Sequence, residues 1–290
     1  MPDKDKMFTD LHRLLNSKDF KSEEELQEFI DDLTGKKIPS QNKEELTDEE
    51  QAQDLVLEAW DLHPDAGKGK ARKALDLDPD CIEAYEYLGS VERSVGKAIE
   101  YYKKGIKIGR KQFGGEFLEE NKGHFWSIFE TRPFMRCLQN YADCLYMKGD
   151  IEECVSVLEE IIDLNPNDNQ GVRDQLGLYY LQLNRLEQFK KLNDAYSKDG
   201  GAFHNFNLAL YTFKSAGRTS KADELLRIAI SENEFVTPKL IQREPIEYVP
   251  DFYSYGNESE ALYYVSYAKP VWRHTFGSLA WIREMHKKMR

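Results

Sequence analysis

Long apolar runs are missing from this 290-residue sequence, which nowhere approaches the ~18 consecutive apolar residues that a transmembrane helix needs. The amino-terminal stretch MPDKDKMFTDLHRLL has no apolar core of the kind found in a secretory signal. There are only four cysteines, and they form no CxxC pair. We therefore expect a cytoplasmic protein without membrane contact, whose cysteines pack as small buried side chains rather than binding a metal: Cys81, Cys137, Cys144 and Cys154.

Signatures of catalysis are missing as well. The sequence has no GxxxxGKS or GxxxxGKT phosphate loop, no HExxH zinc motif and no GxSxG nucleophile turn. Residues 76–80 and 163–169 each resemble the start of a calcium loop, but 76–80 lacks the Gly and Glu that complete one. Because both segments recur with a Pro at the end of a predicted helix, they are typical of turns. We expect no enzymatic activity, no cofactor and no metal site.

Positive charge is scarce in the first part of the chain. Residues 1–60 contain 8 Lys and Arg against 17 Asp and Glu, whereas the other residues contain 32 against 35. The formal net charge of the whole chain is −12. An acidic amino-terminal region repels phosphates, so we expect no nucleic-acid partner.

One regular spacing is present, between Met135 and Asp168. It places large, small and turn residues at the offsets typical of a tetratricopeptide repeat, in which two antiparallel helices end at a proline. The residues at these offsets are Leu138, Tyr141, Ala142, Leu145, Gly149, Cys154, Leu158, Ile161 and Pro166. Such a helix pair cannot bury its apolar face alone and must stack on neighbouring pairs.

Related spacings occur before and after this repeat. They include Tyr85, Leu88 and Gly89 with Ala98, Tyr102 and Gly105, and later Phe206, Ala209, Leu210, Gly217, Ala222, Leu226 and Ala229. Five helix pairs at this period leave little room for another fold. The sequence therefore predicts an all-α, tetratricopeptide-like helical-repeat solenoid, a right-handed superhelix of antiparallel helix pairs.

Breaks in the pattern divide the chain into three predicted regions. Residues 1–43 hold two short helices and a polar linker at 36–43, and residues 44–235 form the repeat domain with an insertion at 109–132. Residues 236–290 form the third region. Its prolines at 238, 245 and 250 predict an extended segment at 238–255. We expect that region to end in a capping helix pair, Asn257–Tyr267 and Phe276–Lys287.

The insertion leads into GHFWSIFETRPFMR, residues 123–136, which concentrates aromatic and charged side chains. Thr131 before a proline predicts an N-cap, and such a helix start beside two guanidinium groups would suit an anion or carboxylate. In the alternative interpretation the rings fill the gap made by the insertion, His124 caps a neighbouring group, and Glu130 pairs with an arginine. The candidate binding residues here are His124, Trp126, Glu130, Arg132 and Arg136.

The same segment, followed by LNPNDNQGVR at 164–173, resembles a group of bacterial tetratricopeptide-repeat proteins. LNPNDNQGVR together with YGNESEALYY at 255–264, Trp272 and 277–279 is similar to the suppression-of-tumorigenicity-seven family. The resemblance extends over roughly residues 45–285. It implies a helical-repeat scaffold and no chemical reaction.

Binding of another protein is thus the expected function. First-helix residues of each predicted pair would face the concave side and contact a peptide carrying both charges, or a partner helix. These are Glu83, Glu86, Ser90, Arg93, Arg136, Gln139, Asp143, Tyr146, Arg173, Asp174, Leu178, His204, Asn207, Tyr211 and Lys214. The alternative is a small-ligand or anion sensor built around His124, Arg132 and Arg136.

Overall fold

The structure is a computed structural model that describes residues 2–36, 38, 45–197, 200–250 and 252–289, with side chains from residue 6 onward. All regular elements in these ranges are helices, and they contain no β-strand. The predicted all-α class is therefore confirmed. Two compact units make up the chain, Met1–Asp150 and Ile151–Arg290, here called the N-terminal and C-terminal units.

Eight α-helices and one 3₁₀ turn are described in the N-terminal unit. They are α1 (Pro2–Asn16), α2 (Glu23–Leu33), α3 (Asp48–Trp60), α4 (Pro64–Leu77), α5 (Ile82–Ser90), α6 (Val95–Gln112), α7 (Glu116–Asn121), the 3₁₀ turn Phe125–Ser127, and α8 (Arg132–Lys148). Of the predicted linker 36–43, only Lys36 and Ile38 lie among the described residues.

Capping residues set the ends of several of these helices. The Thr47 hydroxyl accepts from the Glu50 amide at 3.2 Å, and the Glu50 carboxylate accepts from the Thr47 amide at 2.8 Å, which completes a capping box for α3. Ser22 caps α2 in the same way, but there the glutamate side chain accepts from Lys21. Gly149 ends α8 with φ of +85°, a left-handed conformation that glycine adopts without strain.

Small side chains let the helices of the N-terminal unit approach closely. α3 packs on α4 and α5 packs on α6. A β-carbon at Gly89 would lie 2.5 Å from the ring of Tyr102, so only glycine fits at this crossing. Leu88, Gly89 and Tyr102 are thus buried as the repeat spacing predicts, whereas Tyr85 is only half-buried. The buried cluster shared by α3, α4 and α5 consists of Ala52, Val56, Ala59, Ala71, Ala74, Cys81, Ala84, Tyr87 and Leu88.

The C-terminal unit contains the other described helices. They are α9 (Ile151–Leu164), α10 (Arg173–Gln182), α11 (Leu186–Ala195), α12 (Gly201–Ala216), α13 (Ser220–Glu232), α14 (Val236–Ile241), α15 (Glu258–His274) and α16 (Ser278–Met289). α12 packs on α13 through positions that the repeat spacing predicts, and all of them are buried: Phe206, Ala209, Leu210, Ala222, Leu226 and Ala229.

Three helix bounds differ from the sequence-based expectations. α6 continues through Gly109 to Gln112, so the predicted insertion begins within a helix. Pro238 lies in the first turn of α14, where a missing amide hydrogen costs nothing, and the segment without regular structure starts only at Gln242. α15 runs past Tyr267 and includes Pro270, because its buried face continues to Val271 and Trp272.

Candidate binding site

Three first helices of the N-terminal unit, α3, α5 and α8, lie side by side and line a groove. The groove contains a cavity of about 330 Å³. Its apolar lining comes from α3, from the start of α8 and from the segment before α8: Val56, Leu57, Trp60, Phe129 and Pro133. We call this surface the inner groove. Glu83, Glu86, Arg132 and Arg136 are the sequence-based candidates among its lining residues. The apolar ones were not named, because the first-helix candidates were mostly polar.

Arg136 and Glu86 form the polar wall of the inner groove. The guanidinium donates from Nε to Glu86 Oε1 at 2.7 Å and from Nη2 to Oε2 at 2.8 Å. Burial alone would lower the pKa of Arg136, but the hydrogen bonds to Glu86 outweigh it and raise that pKa above its usual value. Because Glu86 is only 5% exposed, this ion pair holds a buried carboxylate.

A second carboxylate, Glu83, lies one turn earlier on α5. It accepts from Gln53 Nε2 at 3.4 Å and lies 3.7 Å from the Cys81 thiol. Burial raises the pKa of Glu83, and burial together with the charge of Glu83 raises the pKa of Cys81 far above its usual value. A thiol with a raised pKa stays protonated and is a poor nucleophile.

The segment before α8 is packed differently from its predicted anion site. Thr131 does precede α8, but its hydroxyl makes no cap bond and instead contacts the carbonyls of Phe125 and Ile128, the latter at 2.9 Å. Arg132 donates from Nε to the Trp126 carbonyl at 3.0 Å, and its guanidinium lies 5.8 Å from the Trp126 ring centre. Neither a capped helix start nor two free guanidinium groups is therefore found here.

His124 and Glu130 lie at the edge of this segment, and both are exposed. The expectation that Glu130 pairs with an arginine is wrong, because its carboxylate lies 3.0 Å from His12 Nε2 on α1. His124 makes no side-chain cap bond to the turn that follows it. The predicted filling by aromatic rings does occur: Phe125 and Phe134 are buried and contact each other and Phe113, with ring centres 6.1–6.4 Å apart.

Helix α1 lies against the inner groove, a contact that the sequence did not predict. Lys6 Nζ lies 3.0 Å from Asp54 Oδ2, and Arg13 Nη1 donates to Asp54 Oδ1 at 2.8 Å. Arg13 also donates to the Glu50 carbonyl at 2.8 Å. Asp54 is 8% exposed, although it stands on a helix whose other buried residues are Ala52, Val56 and Ala59. An acidic residue at a buried position of α3 was the feature of the sequence that could have indicated this contact.

The remaining α8 candidates, Gln139, Asp143 and Tyr146, are half-buried. Burial raises the pKa of Asp143 to about 6. Of the α5 candidates, Ser90 ends the helix and donates to the Tyr87 carbonyl, and Arg93 lies beyond the helix and is exposed. These residues do not line the inner groove, whose cavity is bounded by Glu83, Glu86, Arg132 and Arg136 from the predicted set.

The candidates of the C-terminal unit surround a much smaller space. Arg173, Asp174, His204 and Asn207 line a cavity of about 40 Å³, enough for one or two waters and too small for a peptide side chain. Asn207 is 4% exposed and accepts from the Tyr264 hydroxyl at 3.1 Å, so it is part of the interior. The ring of Tyr211 stacks on Phe189 with centres 5.1 Å apart.

Asp168, next to this cavity, is held entirely by the turn in which it lies. Its carboxylate accepts from the amides of Val172 and Arg173 at 2.8 and 3.1 Å and pairs with the Arg173 guanidinium at 2.8 Å. This residue lies in one of the two segments that resemble calcium loops, and it acts as a turn residue. Within the described ranges, no group of three or more His, Cys, Asp or Glu side chains is placed to hold a metal ion. None of the described helices has the length and apolar composition needed to cross a membrane.

Comparison with known proteins gives one match. A family model of the tetratricopeptide repeat matches residues 136–168, which include most of α8, all of α9 and the turn that follows. No curated protein and no solved structure matches the chain. The matched residues are those whose spacing predicted this repeat, and the chain therefore contains a tetratricopeptide repeat.

Proposed function

We propose that this protein is a cytosolic interaction scaffold that binds a peptide or a helix of another protein in the inner groove. The observation that carries the proposal is the cavity of about 330 Å³ between α3, α5 and α8. Its wall is apolar at Leu57, Trp60 and Phe129, and Trp60 is 49% exposed. An exposed aromatic side chain beside an apolar pocket with a polar edge is typical of a protein-binding surface.

The tetratricopeptide repeat supports the same function, since stacked helix pairs of this kind generally bind other proteins. The resemblance of residues 123–136 and 164–173 to bacterial repeat proteins, and of 255–264 to the suppression-of-tumorigenicity-seven family, also implies a scaffold. The net charge of −12 disfavours nucleic acid as the partner. We propose no enzymatic activity and no membrane contact.

The other candidate function, a small-ligand or anion sensor built on residues 123–136, has less support. Arg136 is already neutralised by Glu86, and Arg132 donates to a backbone carbonyl and lies over aromatic rings. An anion would have to replace these contacts. It would gain little from groups that are already hydrogen-bonded.

Quantitative co-purification tests the proposal. Proteins captured by the tagged full-length chain should be lost with Leu57→Lys and with Trp60→Ala, which alter the groove lining. They should be kept with the control Ile228→Lys, which places the same charge at an exposed apolar position of the C-terminal unit. Equal capture by all of these chains would contradict the proposal. A rise in melting temperature with small anions, lost in Arg132→Ala, would favour the sensor instead.

A further inference from the structure

The contacts of α1 with the inner groove are mainly charged. Lys6 and Arg13, two turns apart, both reach the Asp54 carboxylate, and Arg13 Nη2 also lies 3.2 Å from Gln53 Oε1. At the other side, His12 contacts Glu130 and lies 5.3 Å from the Phe129 ring centre. The helix thus bridges α3 and the segment before α8.

The fully buried side chains of α1 are polar ones, Thr9, Asp10 and Arg13, whereas its three leucines at 11, 14 and 15 are half-buried. Met7 and Phe8 are 43% and 51% exposed, and the buried cluster of α3, α4 and α5 contains no α1 residue. Helix α2, which follows, has no buried residue that would fix its own position. A helix whose buried side chains are polar is easier to exchange than one that forms part of an apolar core. The Lys6 side chain is 39% exposed, so its pair with Asp54 is screened by salt, whereas the Arg13–Asp54 pair is buried.

Space remains on both sides of α1. The cavity of about 330 Å³ touches Thr9 on one side, and a cavity of about 230 Å³ touches Thr9, His12 and Arg13 on the other. A helix with a larger apolar side chain in place of Thr9 would fill the first space, which has an apolar lining; the second is lined mainly by polar side chains. Such a helix would bury apolar surface that α1 leaves open.

The charge of the groove also favours one class of partner helix. Apart from α1, the carboxylates that line or approach the two cavities outnumber the cations, which are Arg132, Arg136 and Lys111, the last bound to Asp80 at 3.1 Å. The carboxylates are Glu49, Glu50, Asp54, Asp78, Asp80, Glu83, Glu86 and Glu130. A groove with this balance attracts a cationic helix and repels an acidic one.

We propose that the inner groove recognises a cationic amphipathic helix that carries two basic side chains two turns apart, and that α1 is a resident occupant which such a partner helix replaces. This inference rests on the proposed function, since it names the class of partner for the same groove. The Asp54 carboxylate, which contacts Lys6 and Arg13 of α1, also binds the two basic side chains of the partner helix.

A labelled peptide of residues 1–17 tests the inference on the full-length chain. Lys6→Glu with Arg13→Glu in the chain should release α1, and the added peptide should then bind about tenfold or more tightly than to the wild type, where the resident helix competes. Lys18→Glu alters a charge just beyond α1 and is the matched control. Binding should weaken steeply as salt rises.

Reversing the charges in both the chain and the peptide distinguishes a loss of binding from a loss of folding. The chain with Asp54→Lys alone, which repels its own Lys6 and Arg13 and so also releases α1, should reject the wild-type peptide. It should bind a peptide that itself carries Lys6→Glu and Arg13→Glu, which an unfolded chain could not select. Failure of the released chain to bind the wild-type peptide, or of the exchanged pair to bind, would overturn the inference.

The two proposals can fail separately. Partner capture that depends on Leu57 and Trp60, but is unchanged when α1 is released or Asp54 is replaced, would reject the helix class and keep the groove as the site. Capture that is unaffected by any of these changes would reject the groove itself.

Discussion

Arg136 and Glu86 are 50 residues apart in sequence and form a bidentate ion pair with both bonds at or below 2.8 Å. Two parallel hydrogen bonds of this kind are among the strongest polar contacts in proteins. Glu86 is nearly inaccessible, whereas the Arg136 side chain is 40% exposed. The buried Glu86 carboxylate therefore depends on Arg136 for its counter-charge.

Arg136→Ala should destabilise the chain by about 3 kcal/mol, because it leaves the Glu86 carboxylate buried without its counter-charge. Adding Glu86→Gln should recover part of this loss, since the remaining group is then neutral. Chemical denaturation of the two single variants and the double variant measures the coupling. If Arg136→Ala has wild-type stability, the pair belongs to an open binding surface rather than to the scaffold.

Ala142→Trp should destabilise the protein by ~1–3 kcal/mol or more, because Ala142 is 1% exposed and has no space for a larger side chain. Met147→Trp, at a position 70% exposed on the same helix, is the matched control and should change the melting temperature little. Similar melting temperatures for the two variants would contradict the assigned helix register.

Deleting residues 1–43 should leave a cooperatively folding chain. The deletion removes Lys6 and Arg13, but it also opens Asp54 to water, so no carboxylate is stranded in a dry interior. Calorimetry should show one cooperative transition at a modestly lower temperature. Deletion of residues 1–60 is the contrasting variant, since it removes Ala52, Val56 and Ala59 from the core and should abolish that transition.

The pH dependence of stability should change with Asp143→Asn. Burial raises the folded-state pKa of Asp143 to about 6, whereas a free aspartate titrates near pH 4. Between these values the folded chain keeps a proton that the unfolded chain has released, so this group lowers stability as pH rises. The stability of the variant relative to wild type should therefore increase from pH 4 to pH 7, by on the order of 2 kcal/mol. Asp150→Asn, at an exposed position, is the control, and parallel pH profiles would contradict the prediction.

Sequence spacing predicted the parts of the fold that repeat. Gly89 against Tyr102 and the buried Ala142 follow from offsets that any packed helix pair must keep, and they were found where expected. Contacts between distant parts of the chain have no such period. Glu130 was paired in prediction with a neighbouring arginine, yet it contacts His12, and Arg136 instead binds Glu86.

The candidate site was predicted less well for the same reason. Asp54 is 48 residues from Lys6 and 41 residues from Arg13 in sequence, and no local pattern indicates that these side chains meet. Asn207 occupies a first-helix position that the repeat assigns to an open face, but Tyr264 of α15 covers it. A terminal helix that packs on one repeat changes the exposure of residues in that repeat only, and a spacing rule common to all repeats cannot show this.

The buried cysteines have a practical consequence. Cys81, Cys137 and Cys144 lie in the N-terminal unit and Cys154 in the C-terminal unit, and all are at most 9% exposed. Burial raises the pKa of the first three thiols, so native alkylation should require opening of the surrounding helices. The wild-type chain thus carries its own probes of local unfolding in both units. Mass spectrometry after timed alkylation can follow the opening of each unit without any introduced label.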